Sequence, residues 1–397
     1  MRALTDRTNR AEPYALLRAI REHGPFRLDP DIVVVARPRD CAKVLRDPTV
    51  SSERDRNAAA RGRTRLFVHL DPPDHTRLRR LVVGAFAPHV VTALTTRVRE
   101  IVGGLLDAAA PKGRCEIVAD FAFPLPVRVI SELLGVPHED RARFQDWSAA
   151  LGQAVEPPLP GLHTPELSET VDHARVRLIT YFRTLIARRR DEPAEDLLSR
   201  LIHARDGEGS LSESELLATC VLLLNAGHEN TVNLIGNGVL ALLRHPEQLA
   251  ALRRDPTLAD AAVEETLRYD APVQLTTRIA RRPGRIGDTE VREGDTLVLL
   301  LAAANRDPAL CPEPDRFDLT RGAAPHLSFA AGPHFCLGAA LARLEVAIAL
   351  EQFAARVVRP RLASPTLTYK PNLTLRGLER LEITYESIGA GRPAPAQ

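Results

Sequence analysis

The chain has 397 residues, 44% hydrophobic and 26% charged, which is enough apolar material for a large buried core. Its 53 basic and 51 acidic side chains nearly cancel, so bulk charge points neither to nucleic acid nor to an acidic membrane surface. The five cysteines (Cys41, Cys115, Cys220, Cys311, Cys336) are odd in number, widely spaced and without a Cys-x-x-Cys pair, which argues against a disulfide framework or structural zinc and for a reducing cytoplasm.

In chain order, Met1 to Arg10 is polar and has no apolar leader, so a cytoplasmic location is expected. Residues 1–397 read as one large unit, with about 1–12 and 388–397 as flexible tails. A β-type run occupies Ile32–Val35. Apolar residues at three- and four-residue spacing then predict helices over Leu78–Leu106, Val171–Arg190, Leu211–Arg244 and Ala259–Tyr269. β-type runs return at Asp295–Leu301 and Leu381–Tyr385, on either side of a helical pattern at Ala339–Phe353 with Leu341, Leu344 and Ile348 on one face. Proline clusters at 72–73, 124–126, 157–160 and 312–314 punctuate the chain. The longest apolar stretch, Leu216–Ala226, is too short to span a bilayer. The pattern predicts a mainly α protein with small β-sheets. Almost all basic residues are Arg; only Lys43, Lys112 and Lys370 are Lys.

Ser212 and Glu215 have capping-box spacing and predict the start of a long helix. It should end near Arg244, before Pro246, after about 33 residues and roughly 50 Å. The helix is apolar through Val221–Leu224, then polar at Asn225, His228, Glu229, Asn230 and Thr231. Polar side chains in a buried helix need partners or a task. Gly227 allows a close approach to the backbone or a local opening of the helix.

The strongest local signal is Phe329-Ala-Ala-Gly-Pro-His-Phe-Cys-Leu-Gly338. Cys336 sits just before a helix N-terminus, where unpaired N–H groups favour the metal-binding thiolate. Phe329, Gly332, His334, Cys336 and Gly338 together resemble the haem-binding signature of the cytochrome P450 family, with Ala330 where the family commonly has Gly. The resemblance runs from about Leu17 to Tyr385 and is of the soluble, bacterial, class I type. It implies the cytochrome P450 fold, a single triangular domain, and haem b with Cys336 as the axial iron ligand.

The same resemblance assigns other residues. His75, Arg79, Arg278 and His334 match propionate ligands, a role suited to Arg and His donors. Glu265, Arg268 and Arg316 match a structural ion-pair network that supports the cysteine loop. Ala226-Gly-His-Glu-Asn-Thr231 resembles the oxygen-binding motif, with Ala226 and Gly227 beside the cofactor and Glu229 in the proton-relaying position. Asn230 departs from the usual Thr, and Thr231 lies about 100° further round the helix. Phe67, Leu223, Val273, Leu275 and Leu373 are the expected substrate contacts, with 153–169 as part of the pocket wall. The implied function is O2-dependent hydroxylation or epoxidation of a mostly apolar small molecule in secondary metabolism. A ferredoxin and its reductase would supply electrons, docking near Arg77, Arg80 and Arg343. A monomer without nucleic acid or a membrane span is expected. Atypical oxidation, such as oxidative coupling or peroxide-driven chemistry, stays open as an alternative, as does a haem-binding sensor without turnover.

Overall fold

The computed structural model describes residues 6–53, 66–140, 143–144, 146–147, 150, 165–206, 209–322 and 324–390. Helices dominate: α1 (Asp74–Val83), α2 (Thr95–Ala109), α3 (Pro124–Leu133), α4 (Pro165–Asp191), α5 (Glu213–Arg244), α6 (Ala259–Tyr269) and α7 (Ala339–Arg356). The continuous helix expected over Leu78–Leu106 is instead α1, a short Pro88–Ala93 helix and α2. Pro88 lacks an N–H and holds Ala87 at ψ 147°, outside the helical region.

The spine is α5. Ser212 Oγ accepts from the Glu215 N–H and the Glu215 carboxylate accepts from the Ser212 N–H, closing the expected capping box. From there 32 residues continue as unbroken α-helix, about 48 Å. Leu216–Leu224 enters one apolar core with α4 and part of α3. Val232–Leu242 enters another with α2, α6 and α7. The polar stretch Asn225–Thr231 belongs to neither core. Two glycines set the packing distance. A Cβ on Gly227 would lie 3.3 Å from Ile130 of α3, and one on Gly238 would lie 3.1 Å from Leu350 of α7. Gly227 therefore serves close helix packing, and the helix does not open there.

A five-stranded sheet flanks the helices. Its strands are β1 (Phe26–Asp29), β2 (Ile32–Val35), β3 (Val50–Ser51), β4 (Thr276–Ala280) and β5 (Thr296–Leu299), in the order β1-β2-β5-β4-β3. The β-branched run of β2 is fully buried and pairs in parallel with β5, Val33 opposite Leu297. On its other side β5 runs antiparallel to β4, Leu297 opposite Arg278, which fixes the face from which Arg278 projects.

The expected tails are shorter than the sequence indicates. The carbonyls of Arg10 and Ala11 accept from the Arg376 guanidinium, and Ile388 pairs with Val357. Residues 1–5 and 391–397 lie outside the described residues, as do 153–164 of the expected pocket wall. Among the described residues no single helix is long and apolar enough to cross a membrane.

Candidate active site

A cavity of about 330 Å³ lies where the two cores part. Helix α5 contributes Leu223, Ala226, Gly227, Asn230, Thr231 and Leu234 to its wall. The cysteine loop contributes Phe329, His334, Cys336 and Gly338, α1 adds Arg79, and β4 adds Thr276 and Arg278. Phe67 and Val273 complete the apolar side. Thirteen residues expected from sequence are thus brought onto one surface.

The cysteine loop is held by backbone geometry. Gly332 has φ +71°, and a Cβ there would meet the Leu45 carbonyl at 2.6 Å, so only glycine fits. Ala330 also takes a positive φ, +59°, where an L-residue is disfavoured by about 1 kcal/mol or more. The Cys336 N–H donates to the Phe329 carbonyl at 3.0 Å, and Arg79 Nη2 donates to the Phe335 carbonyl at 2.7 Å. Burial pushes the Cys336 thiol up, opposed by the Gly338 N–H and by the charges of Arg79 and Arg343.

Beside the thiol is a cluster rich in donors. His75 and His334 lie 4.0 Å apart, ring centre to ring centre. His75 is buried, and neither ring nitrogen has a hydrogen-bond partner. Burial, then the nearby His75 and Arg278 charges, holds His334 down at about 3. Arg79 and Arg278 add two guanidiniums, while the nearest acid, Asp71, is engaged by Ser51, Ser52 and Arg281. The arrangement calls for an anion. Among the described residues no group of three or more His, Cys, Asp or Glu could hold a bare metal ion. One thiol, a large cavity and a cationic rim fit a metal carried in its own macrocycle, with carboxylates for the rim.

Glu229 does not line this cavity. Its carboxylate accepts from Lys370 Nζ at 2.6 Å, and Lys370 also donates to Asn233 Oδ1 at 3.1 Å. Asn230 does line it, and its buried Oδ1 has no partner. Thr231 lines it as well, with Oγ1 3.5 Å from the Gly227 carbonyl.

Three sequence expectations need correction. Leu275 and Leu373 line a second cavity of about 40 Å³, not the large one. Thr276 and Arg278 face the large cavity, and strand alternation turns Leu275 to the opposite side. Arg316 is not the third member of the ion-pair network. Its side chain is 58% exposed and pairs with Glu313 and Asp318. Glu265 and Arg268 do form a buried bidentate pair, both bonds 2.8 Å. Arg321, not Arg316, approaches Glu265 at 3.4 Å, and Arg316 contributes only its carbonyl to Arg268. Two of the three docking arginines are committed elsewhere: Arg77 to Glu215, and Arg343 to Glu264 at 2.6 and 3.0 Å and over the Phe329 ring. Burial would raise Glu264, yet His326 and Arg343 hold it down at about 2. Arg80 is exposed and has a partner of its own.

Two residues of the site escaped the sequence. Lys370 lies 141 positions from Glu229, beyond any local pattern, although it is one of only three lysines. Glu345 lines the cavity from α7. It did leave a signal, since a charged residue at i+4 from Leu341 and i−3 from Ile348 interrupts the apolar face.

Comparison with known proteins agrees with this geometry. The family model for cytochrome P450 matches residues 27–356. The chain is 43% identical over 394 residues to the cytochrome P450 monooxygenase PikC of Streptomyces venezuelae, covering 94% of this chain and 91% of the relative. It is 40% identical over 348 residues to the biotin biosynthesis cytochrome P450 of Bacillus subtilis, covering 88% and 87%. The crystal structure of ligand-free CYP164A2 from Mycobacterium smegmatis superposes with a TM-score of 0.89 at 46% identity, covering 96% of this chain and 98% of that one. The chain belongs to the cytochrome P450 family, monooxygenases that carry haem b and use O2 as cosubstrate.

Proposed function

We propose that Cys336 is the axial ligand of the haem iron and that the protein hydroxylates or epoxidises a mostly apolar small molecule in natural-product biosynthesis. The observation that carries this is the meeting, on one cavity, of a lone thiol, a cationic rim and an apolar wall. Bound haem supplies the chemistry, O2 activation at a thiolate-ligated iron with transfer of one oxygen atom to substrate.

The chain's own residues do the rest. His75, Arg79, Arg278 and His334 would hold the propionates, and the unpartnered ring nitrogens of His75 are available for this. Phe67, Leu223 and Val273 would orient the substrate and exclude water on the apolar side. The Asn230 amide, aimed at the cavity, would position O2 or a water by hydrogen bonding. Glu229, which accepts from Lys370 in this structure, would relay protons through water. The names of the relatives, one of them for biotin biosynthesis, support a small-molecule substrate. We read 1–397 as one unit that receives electrons from a separate ferredoxin and reductase.

The test is the absorption spectrum of the dithionite-reduced, CO-bound protein. A strongly red-shifted Soret band is expected in the wild type and should be lost in Cys336→Ala. An ordinary band from folded wild type overturns the ligand assignment. The unpartnered Asn230 oxygen favours one second reading, atypical oxidation with altered proton delivery. Labelled O2 separates the two: incorporation of one oxygen atom supports monooxygenation, and product without label supports coupling. Asn230→Thr should keep or improve coupling of electron input to product if the amide merely replaces a hydroxyl.

A further inference from the structure

Glu264, the neighbour of Glu265 on α6, has no part in the proposed chemistry, yet it holds the cysteine segment from both sides. Its Oε1 accepts from Arg343 Nε at 2.6 Å. Its Oε2 accepts from Arg343 Nη2 at 3.0 Å and from His326 Nε2 at 3.2 Å. His326 Nδ1 accepts from the Ser328 N–H, which leaves Nε2 as the ring's donor. His326 precedes Cys336 in the chain and Arg343 follows it on α7. One carboxylate therefore ties down both ends of the segment that presents the thiol.

Between those ends stands Phe329. The Arg343 guanidinium covers its ring, 4.5 Å from the ring centre, and the His326 ring lies 5.9 Å from it. The Phe329 carbonyl accepts from the Cys336 N–H at 3.0 Å. Burial opposes the Cys336 thiolate, while the Gly338 N–H, Arg79 and Arg343 favour it. The two cations differ in their surroundings. Arg79 donates to the Phe335 carbonyl, whereas Arg343 faces the Glu264 carboxylate, with the charge of Asp260 one turn earlier on α6. Glu264 thus sets how much positive charge Arg343 presents to the thiol. The Arg343 and Glu264 side chains are 37% and 34% exposed, so solvent screens this pair without cancelling it.

We propose that Glu264 is a positioning residue for the Cys336 ligand, which holds Arg343 over Phe329 and offsets its charge so that the thiolate stays strongly electron-donating. This rests on the haem-thiolate reading and deepens it, since groups around a ligand tune the potential of the metal it binds.

Reduction potentials of the substrate-free, haem-loaded protein, measured by spectroelectrochemistry, test the proposal. Glu264→Gln should shift the potential positive, because Arg343 then acts on the thiolate unopposed. Arg343→Gln should shift it negative, and the double variant should return close to wild type. Unmoved potentials in both single variants overturn the proposal. Shifts of the same sign overturn it too, since they would mean that the loop has only been loosened. Should Glu264→Gln fail to load haem, Arg343→Gln decides alone, and a potential that does not fall there overturns the proposal. The reduced CO spectrum is recorded for each variant. A red-shifted Soret band with unmoved potentials sinks this inference and leaves the thiolate ligand standing, whereas an ordinary band in folded wild type removes both.

Discussion

Glu229 and Glu345 are buried carboxyls on the two helices that flank the cavity, and they are stabilised in opposite ways. Glu229 on α5 accepts from Lys370 Nζ at 2.6 Å, with Asn233 completing the cluster. Among the described residues no hydrogen-bond partner meets the buried Oε2 of Glu345 on α7, and burial raises this carboxyl well above the usual range. The contrast shows that tertiary partners, and not depth alone, set the surroundings of a buried acid.

Glu345→Gln should sharpen the contrast most. A raised folded-state value means that stability is fully present below the unfolded value, about 4.3, and declines as pH rises above it. The slope approaches at most about 1.4 kcal/mol per pH unit for one proton. The Gln variant lacks this loss, so its urea midpoint should exceed wild type by a margin that widens between about pH 5 and 8. Parallel curves would mean that Glu345 is ionised in the folded protein.

Next in size is Lys370→Met, which leaves Glu229 buried without its cation. Removing one partner of a buried pair costs about 3–5 kcal/mol, and Lys370 keeps a fifth of its surface, so about 2–3 kcal/mol is expected in urea unfolding. Adding Glu229→Gln should recover most of that loss, because the amide needs no countercharge. Equal destabilisation in the single and double variants would break the comparison by showing that Lys370 acts through packing alone.

The smallest effect is expected at the loop between the two acids. Ala330→Gly relieves a φ of +59°, and the unfolded chain's gain in entropy offsets part of that, leaving about 0.5–1 kcal/mol of stabilisation in thermal unfolding. The pH dependence of unfolding that Glu345 gives should be untouched. A change in that dependence would tie the loop to the acid on α7.

Much of this was legible in order along the chain. Short-range rules carried it. The capping box at Ser212 placed α5, and the spacing from Phe329 to Gly338 marked the loop that presents Cys336. The Glu265–Arg268 pair lies within one turn of helix, so its spacing could be read directly. The third member of that network could not, because Arg316 and Arg321 are five residues apart on one irregular segment and only packing turns Arg321 toward Glu265. Leu275 failed for the same reason, since a single step in strand register moves a side chain from one cavity to the other.

Local sequence alone determined α5 with its cap and the spacing of the cysteine loop, because capping and residue spacing act within a few residues. The surroundings of the buried acids were decided only by the tertiary structure. Lys370 reaches Glu229 across 141 positions, no partner among the described residues meets Glu345 Oε2, and electrostatics in a low-dielectric interior depends on distance in space, not along the chain.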